Sequence, residues 1–154
     1  YLTMAVLMIA LGNAFGGQGT TIGLIISMFR AKSQRYKEML KLASVPALFN
    51  INEPLIFGMP IMLNTTFFIP MVVTPIIIGV VTWVLIPVIN IAHTFNPMIM
   101  LPWTTPGIIA GFINGGFPLL LIAIVVVVIS TLMWYPFFKI ADNQAYKEEQ
   151  DGDR

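Results

Sequence analysis

Residues Leu119 to Phe138 read LLLIAIVVVVISTLMWYPFF. The run carries no charge and is long enough to cross a bilayer, whose hydrocarbon core takes about 20 apolar residues in a helix. Trp134 and Tyr135 stand just before Lys139, where an aromatic belt is expected at the membrane surface. Working outward, the same character persists: between Leu42 and Phe138 the single formally charged side chain is Glu53, with His93 the other group that titrates near neutrality. No water-exposed surface can be built from such a stretch. The whole chain agrees, being 57% hydrophobic and 10% charged, against about 25% charged in a soluble domain.

A second span is expected around Phe67 to Ile91, bent by Pro70, Pro75 and Pro87. Two other apolar stretches do not read as simple spans. Ser44 to Asn64 holds Pro46, Pro54 and Pro60 beside Asn50, Asn52, Glu53 and Asn64, and Phe95 to Phe117 is interrupted by prolines, glycines, Asn96 and Asn114. Broken backbone at membrane depth is tolerated only where protein or a watery cavity satisfies it. The expected fold is therefore an all-α membrane protein, with transmembrane helices and two re-entrant helical hairpins.

Arg30, Lys32, Arg35, Lys37 and Lys41 outweigh Glu38 and put that segment on the cytoplasmic side. Two spans and two hairpins return the chain to the same side. Residues 142–154 then read as a solvated cytoplasmic tail after a membrane domain of residues 1–141. The glycine cluster from Gly12 to Thr21 lacks the Lys that a phosphate loop places after its glycines, and reads as close helix packing or a helix break.

Several chemistries are excluded. Without cysteine there is no disulfide, thiolate metal site or catalytic thiol. A net charge of +1 offers no field for nucleic acid. No motif calls for a metal or cofactor. Tyr1 opens directly into an apolar run without the basic start of a signal peptide, so the chain is expected to be the C-terminal part of something longer.

Glu53 is the leading candidate for chemistry. A charge at the centre of a membrane helix costs about 2.5 to 3.5 kcal/mol on insertion scales, so it stands there for a reason. An apolar setting disfavours a carboxylate's charged form and brings it toward the range useful to a proton acceptor. Asn50 and Asn52 can serve a polyol ligand or can satisfy hairpin backbone, while Asn64 fits an N-cap of the following helix better than a ligand. Trp103, in the stretch from Leu101 to Pro106, can stack on a sugar or anchor at the interface, the anchor being the commoner use of Trp. His93 lacks a carboxylate neighbour in sequence and suits a loop role.

FNINEPLIFGMPIMLN, from Phe49 to Asn64, resembles the signature of the enzyme IIC membrane component of the phosphotransferase system, in its lactose, cellobiose and diacetylchitobiose family. PWTTPGIIAGF, from Pro102 to Phe112, is similar to that family's second stretch, and YPFFKIAD near the end to its C-terminus. The resemblance implies a multi-pass protein of the bacterial inner membrane that takes a disaccharide inward and presents its hydroxyl to a phosphorylated IIB component. It implies Glu53 as a sugar ligand beside that hydroxyl and Trp103 as lining the sugar site; Glu53 is taken as the catalytic residue, and Asn50, Asn52 and Thr104 join the candidate sugar ligands. The donor cysteine would belong to IIB, and the homodimer contact and the family's histidine to an N-terminal half preceding Tyr1. The competing function is a cation-coupled carrier with Glu53 as its proton or ion site.

Overall fold

The computed structural model describes residues 20–59, 61, 63–89, 94, 96 and 98–153. Most of the glycine cluster, and His93, lie outside them. Among the described residues there are helices and no strands: α1 (Ile22–Met28), α2 (Gln34–Leu48), α3 (Glu53–Gly58), α4 (Thr65–Val88) and α5 (Gly107–Gly152).

The spine is α5. Its first arm, residues 107–115, ends at Gly116, whose φ of 62° and ψ of −149° lie in a region open essentially to glycine. The chain doubles back there. A Cβ on Gly111 would lie 3.3 Å from the Leu119 carbonyl and 3.6 Å from the Ala123 Cβ, separations that no straight helix allows between residues 8 and 12 apart, which a helix spaces by about 12 and 18 Å. The second arm, residues 117–152, is roughly 50 Å long at 1.5 Å per residue, well beyond the hydrocarbon thickness of about 30 Å. One stripe at helical spacing runs down it: Leu119, Ile122, Val126, Ser130, Trp134, Phe138, Ala141 and Ala145 are all buried.

Helices α1 and α4 both pack on this stripe, and α2 packs on α1 and α3. Phe67, Met71, Thr74, Ile78 and Thr82 form the matching face of α4. At the crossing of α1 and α5 the backbones nearly touch: a Cβ added to Gly23 would meet backbone and side-chain atoms of Ser130 at 2.3 to 2.4 Å. Ser130 uses that proximity. Its Oγ accepts from the Gly23 N–H at 3.1 Å and donates to the Thr20 carbonyl at 2.6 Å, supplying partners to the unpaired start of α1.

The start of α2 is satisfied the same way by two carboxylates one heptad apart on α5. Asp142, buried, accepts from the N–H groups of Lys32 and Ser33, and Glu149 accepts from the Ser33 hydroxyl and the N–H groups of Gln34 and Arg35. Negative charge is favourable at a helix N-terminus. These bonds, led by that from Ser33, hold the Glu149 carboxyl below its ordinary value. An aromatic cluster lies one level deeper, where Tyr36 meets Phe138 edge to face at 5.4 Å and Phe67 at 6.4 Å.

One expectation changes. Trp134 is no belt residue: it is fully buried under α1 and α2, in the core with Phe138 and Leu24. Position 141/142 lies within the second arm of α5, whose last turns stay mostly exposed while Asp142 and Glu149 bond the start of α2. The second expected span is α4, Thr65–Val88, with Pro70, Pro75 and Pro87 all inside it.

Replacing Gly23 with Ala is expected to lower the thermal unfolding midpoint of the detergent-solubilised protein, at a cost of about 1 to 3 kcal/mol from overpacking. Ser130→Ala removes both of its bonds to this segment and should cost about 1 kcal/mol, at roughly 0.6 kcal/mol for each. An unchanged midpoint for Gly23→Ala would contradict the close crossing.

Candidate functional site

Helix α2 ends in a Schellman motif. The Asn50 N–H donates to the Ala47 carbonyl at 3.1 Å and the Ile51 N–H to the Pro46 carbonyl at 3.0 Å, with Asn50 itself left-handed at φ 63°. Glycine is the usual residue at this position, and Asn is the side chain that tolerates it best after glycine. The side chain explains the choice. Buried at 6% exposure, Asn50 reaches across to a loop more than fifty positions away, where its Nδ2 donates to the carbonyls of Trp103 at 2.7 Å and Thr105 at 2.9 Å. A glycine would keep the turn and lose the clamp.

The chain then enters α3 almost at once. The Asn52 carbonyl accepts from the N–H groups of Leu55 and Ile56, Glu53 stands in the first turn, and Pro54 occupies a position where its missing N–H costs nothing. Asn52 is buried at the N-cap position, though its side chain makes no capping bond. Asn64 does cap α4, accepting from the Thr66 N–H at 3.0 Å.

On the far side of the clamp, residues 102–105 form a turn closed by the Thr105 N–H on the Pro102 carbonyl at 2.9 Å. Pro106 then opens the first arm of α5. Thr104 is half-buried and the Trp103 ring is 63% exposed. Glu53 is exposed as well, so the described residues of this chain do not bury its carboxylate as the sequence led one to expect.

The structure therefore joins the two stretches that carry Glu53 and Trp103, through a residue whose sequence reading stood open between ligand and backbone partner. Both hydrogens of the Asn50 amide are directed at backbone carbonyls rather than at a ligand. Its partners could not be found from side-chain types, because the acceptors on residues 103 and 105 are main-chain oxygens that any residue carries. Asp142 and Glu149 were visible as charges, but their role as caps of α2 was not. Among the described residues no three of His, Cys, Asp and Glu gather as a metal cage.

The class of protein is thus an all-helical one whose two longest helices, α4 and α5, are apolar enough to cross a membrane, with a clamped pair of polar loops at one junction. A sequence model of the family described as "Phosphotransferase system, EIIC" matches residues 4–75. Similar curated proteins include the galactose-specific EIIC component of Lactococcus lactis subsp. cremoris (strain MG1363), 50% identical over 97% of this chain and 33% of its own length. The lichenan permease IIC component of Bacillus subtilis (strain 168) is 38% identical over 88% of the chain and 30% of its own length. Among solved structures, the transporter ChbC, the IIC component of the N,N'-diacetylchitobiose-specific phosphotransferase system, matches with a TM-score of 0.83 and 30% identity, over 94% of this chain and 34% of that one. The chain belongs to the EIIC family, and it spans about a third of the length of these relatives.

Substitutions at Asn50 separate its two jobs. Asn50→Gly keeps the left-handed turn and loses two hydrogen bonds, about 1 to 3 kcal/mol, while Asn50→Ala adds the left-handed penalty of about 1 to 2 kcal/mol. Asn50→Asp should be the most damaging, because it sets a carboxylate against two carbonyl oxygens. The check is the order of thermal midpoints, with Gly above Ala above Asp, and an Asp variant as stable as the original would refute the clamp.

Proposed function

We propose that the chain forms the sugar-binding part of a phosphotransferase-system permease, which carries a disaccharide across the bacterial inner membrane and couples its passage to phosphorylation. The observation that carries this reading is the Asn50 clamp. It ties the Asn-Glu-Pro stretch to the Pro-Trp-Thr-Thr-Pro stretch and leaves an acceptor, Glu53, and a ring face, Trp103, exposed on two segments joined within three residues of each. A sugar needs that pairing, because its rim is hydroxyls and its faces are C–H. The names of the relatives, specific for galactose, lichenan and diacetylchitobiose, lend support.

In this reading Trp103 stacks on the ring and Thr104 and Asn52 complete the polar wall, while Asn50 acts as the scaffold. Glu53 accepts a hydrogen bond from the hydroxyl that becomes phosphorylated. The donor is the phosphocysteine of a separate IIB component. As the hydroxyl oxygen forms its bond to phosphorus, the sulfur–phosphorus bond breaks and the hydroxyl proton passes to Glu53. Positioning and charge stabilisation provide most of the acceleration in such transfers. Bound sugar and the rest of the transporter exclude water from the carboxylate.

Residues 44–64 and the doubled-back arm of α5 act as re-entrant segments, with the basic run and residues 142–154 on the cytoplasmic side. The bonds of Asp142 and Glu149 to the start of α2 support a shared end for those two segments. Homodimer contacts and the remainder of the sugar site come from other parts of the full transporter, in keeping with the share of the relatives that this chain covers.

Glu53→Gln preserves shape and one acceptor oxygen but removes charge and basicity. In the complete transporter it should lower phosphoryl transfer from phosphorylated IIB far more than it lowers sugar affinity, whereas Glu53→Ala lowers both. Sugar affinity and transfer rate are measured side by side on correctly inserted protein. Transfer by Glu53→Gln at the original rate would reduce Glu53 to a ligand at most.

A further inference from the structure

Away from Glu53 and Trp103, the start of α2 and the turn before α4 enclose a cavity of about 100 Å³, lined by Arg35, Tyr36, Met39, Gly58, Met59 and Asn64. That is several times the 10 to 15 Å³ that one water requires. Two walls are thioethers. Met39 lies so close to the α3 backbone that a Cβ on Gly58 would meet its Sδ at 2.9 Å.

The polar lining consists of donors. Arg35 contributes a guanidinium that forms no ion pair among the described residues, although it carries a full charge. Asn64 has its carbonyl oxygen engaged by the Thr66 N–H, which leaves its Nδ2 as the group on offer. Tyr36, which lines the cavity, is 8% exposed, its ring is held edge to face by Phe67 and Phe138, and no hydrogen bond engages its hydroxyl among the described residues. Burial, the largest influence, pushes the Tyr36 phenol above its ordinary value of 10.0, with Arg35 pulling the other way and Asp142 and Glu148 adding to the rise. The phenol therefore stays protonated and donates.

No carboxylate lines the cavity. Of the acids at this end of α5, Asp142 is committed to the N–H groups of Lys32 and Ser33 and Glu149 to Ser33, Gln34 and Arg35, while Glu148 is exposed. A pocket with a guanidinium, a protonated phenol and an amide N–H₂, in a segment rich in Lys and Arg, has the chemistry of an oxyanion site. Asn64 opens the membrane-length helix α4, which puts the cavity where that helix would leave the bilayer. Phosphate is the oxyanion abundant at that level, either on a lipid headgroup or on a small soluble ester.

We propose that the Arg35, Tyr36 and Asn64 cavity binds a phosphate group. The site shares no residue with the sugar-binding set and stands whether or not the sugar reading does. The test uses the complete transporter containing this chain. Its thermal midpoint is followed against inorganic phosphate at constant ionic strength with chloride as the balancing anion, and again in nanodiscs of phosphatidylcholine with and without phosphatidylglycerol. Saturable stabilisation by phosphate identifies a small-ester site, and stabilisation by phosphatidylglycerol alone identifies a headgroup site.

In either case Arg35→Gln should weaken the response roughly tenfold and Tyr36→Phe by several-fold. Tyr36→Phe keeps both ring contacts, so it tests the hydroxyl without disturbing the core. Lys41→Gln, on the same helix but outside the cavity, should respond as the original does. The proposal is overturned if neither probe stabilises the protein beyond chloride. It is equally overturned if the Arg35 and Tyr36 variants respond like the original, or if Lys41→Gln loses as much as they do.

Discussion

In a bilayer, an unpaired backbone N–H or C=O has no water to turn to, and leaving one exposed to hydrocarbon costs several kcal/mol. That constraint organises the apolar part of this chain, and the same device recurs at its exposed end. At three breaks in its helices the exposed backbone groups are met by a side chain from a remote segment. Ser130 serves the start of α1, Asp142 and Glu149 serve the start of α2, and Asn50 serves the loop before α5. Three of these four side chains project from the long arm of α5, so that helix is a hydrogen-bonding spine as much as an apolar one. The breaks are affordable only because the spine stands beside them.

The same logic joins fold to function. A binding site for a hydroxyl-rich ligand needs polar side chains inside the membrane, and polar side chains there need irregular backbone to present them. Asn50 reconciles the two by ending α2 in a left-handed turn and spending its amide on the opposite loop. Glu53 and Trp103 are then positioned by main-chain bonds rather than by their own contacts. Their exposure in this chain fits side chains that meet their partners in the larger protein.

What could be read from the sequence was whatever is local. The run from Leu119 to Phe138 declares a span because length and apolarity need no neighbours, and Asn64 before Thr65 declares a cap because its acceptor lies two residues on. The glycines before Phe117 signalled a break, though only the backbone angles reveal that the chain doubles back. What lay hidden is long-range. Trp134 near Lys139 looks like a belt residue until α1 and α2 are laid over it. Asn50 and Asn52 stood even between ligand and scaffold, and for Asn50 the deciding acceptors were carbonyls on residues 103 and 105. That the two polar stretches are neighbours, and that Asn50 joins them, required coordinates.

The central claim is that Glu53 and Trp103 address one and the same sugar. A structure of the complete transporter with a bound disaccharide tests it most directly. The account predicts a sugar ring against the Trp103 indole, with a hydroxyl about 2.6 to 3.2 Å from the Glu53 carboxylate and the Asn50 clamp intact. A disaccharide bound elsewhere, with both side chains facing lipid or packed against protein, would contradict it.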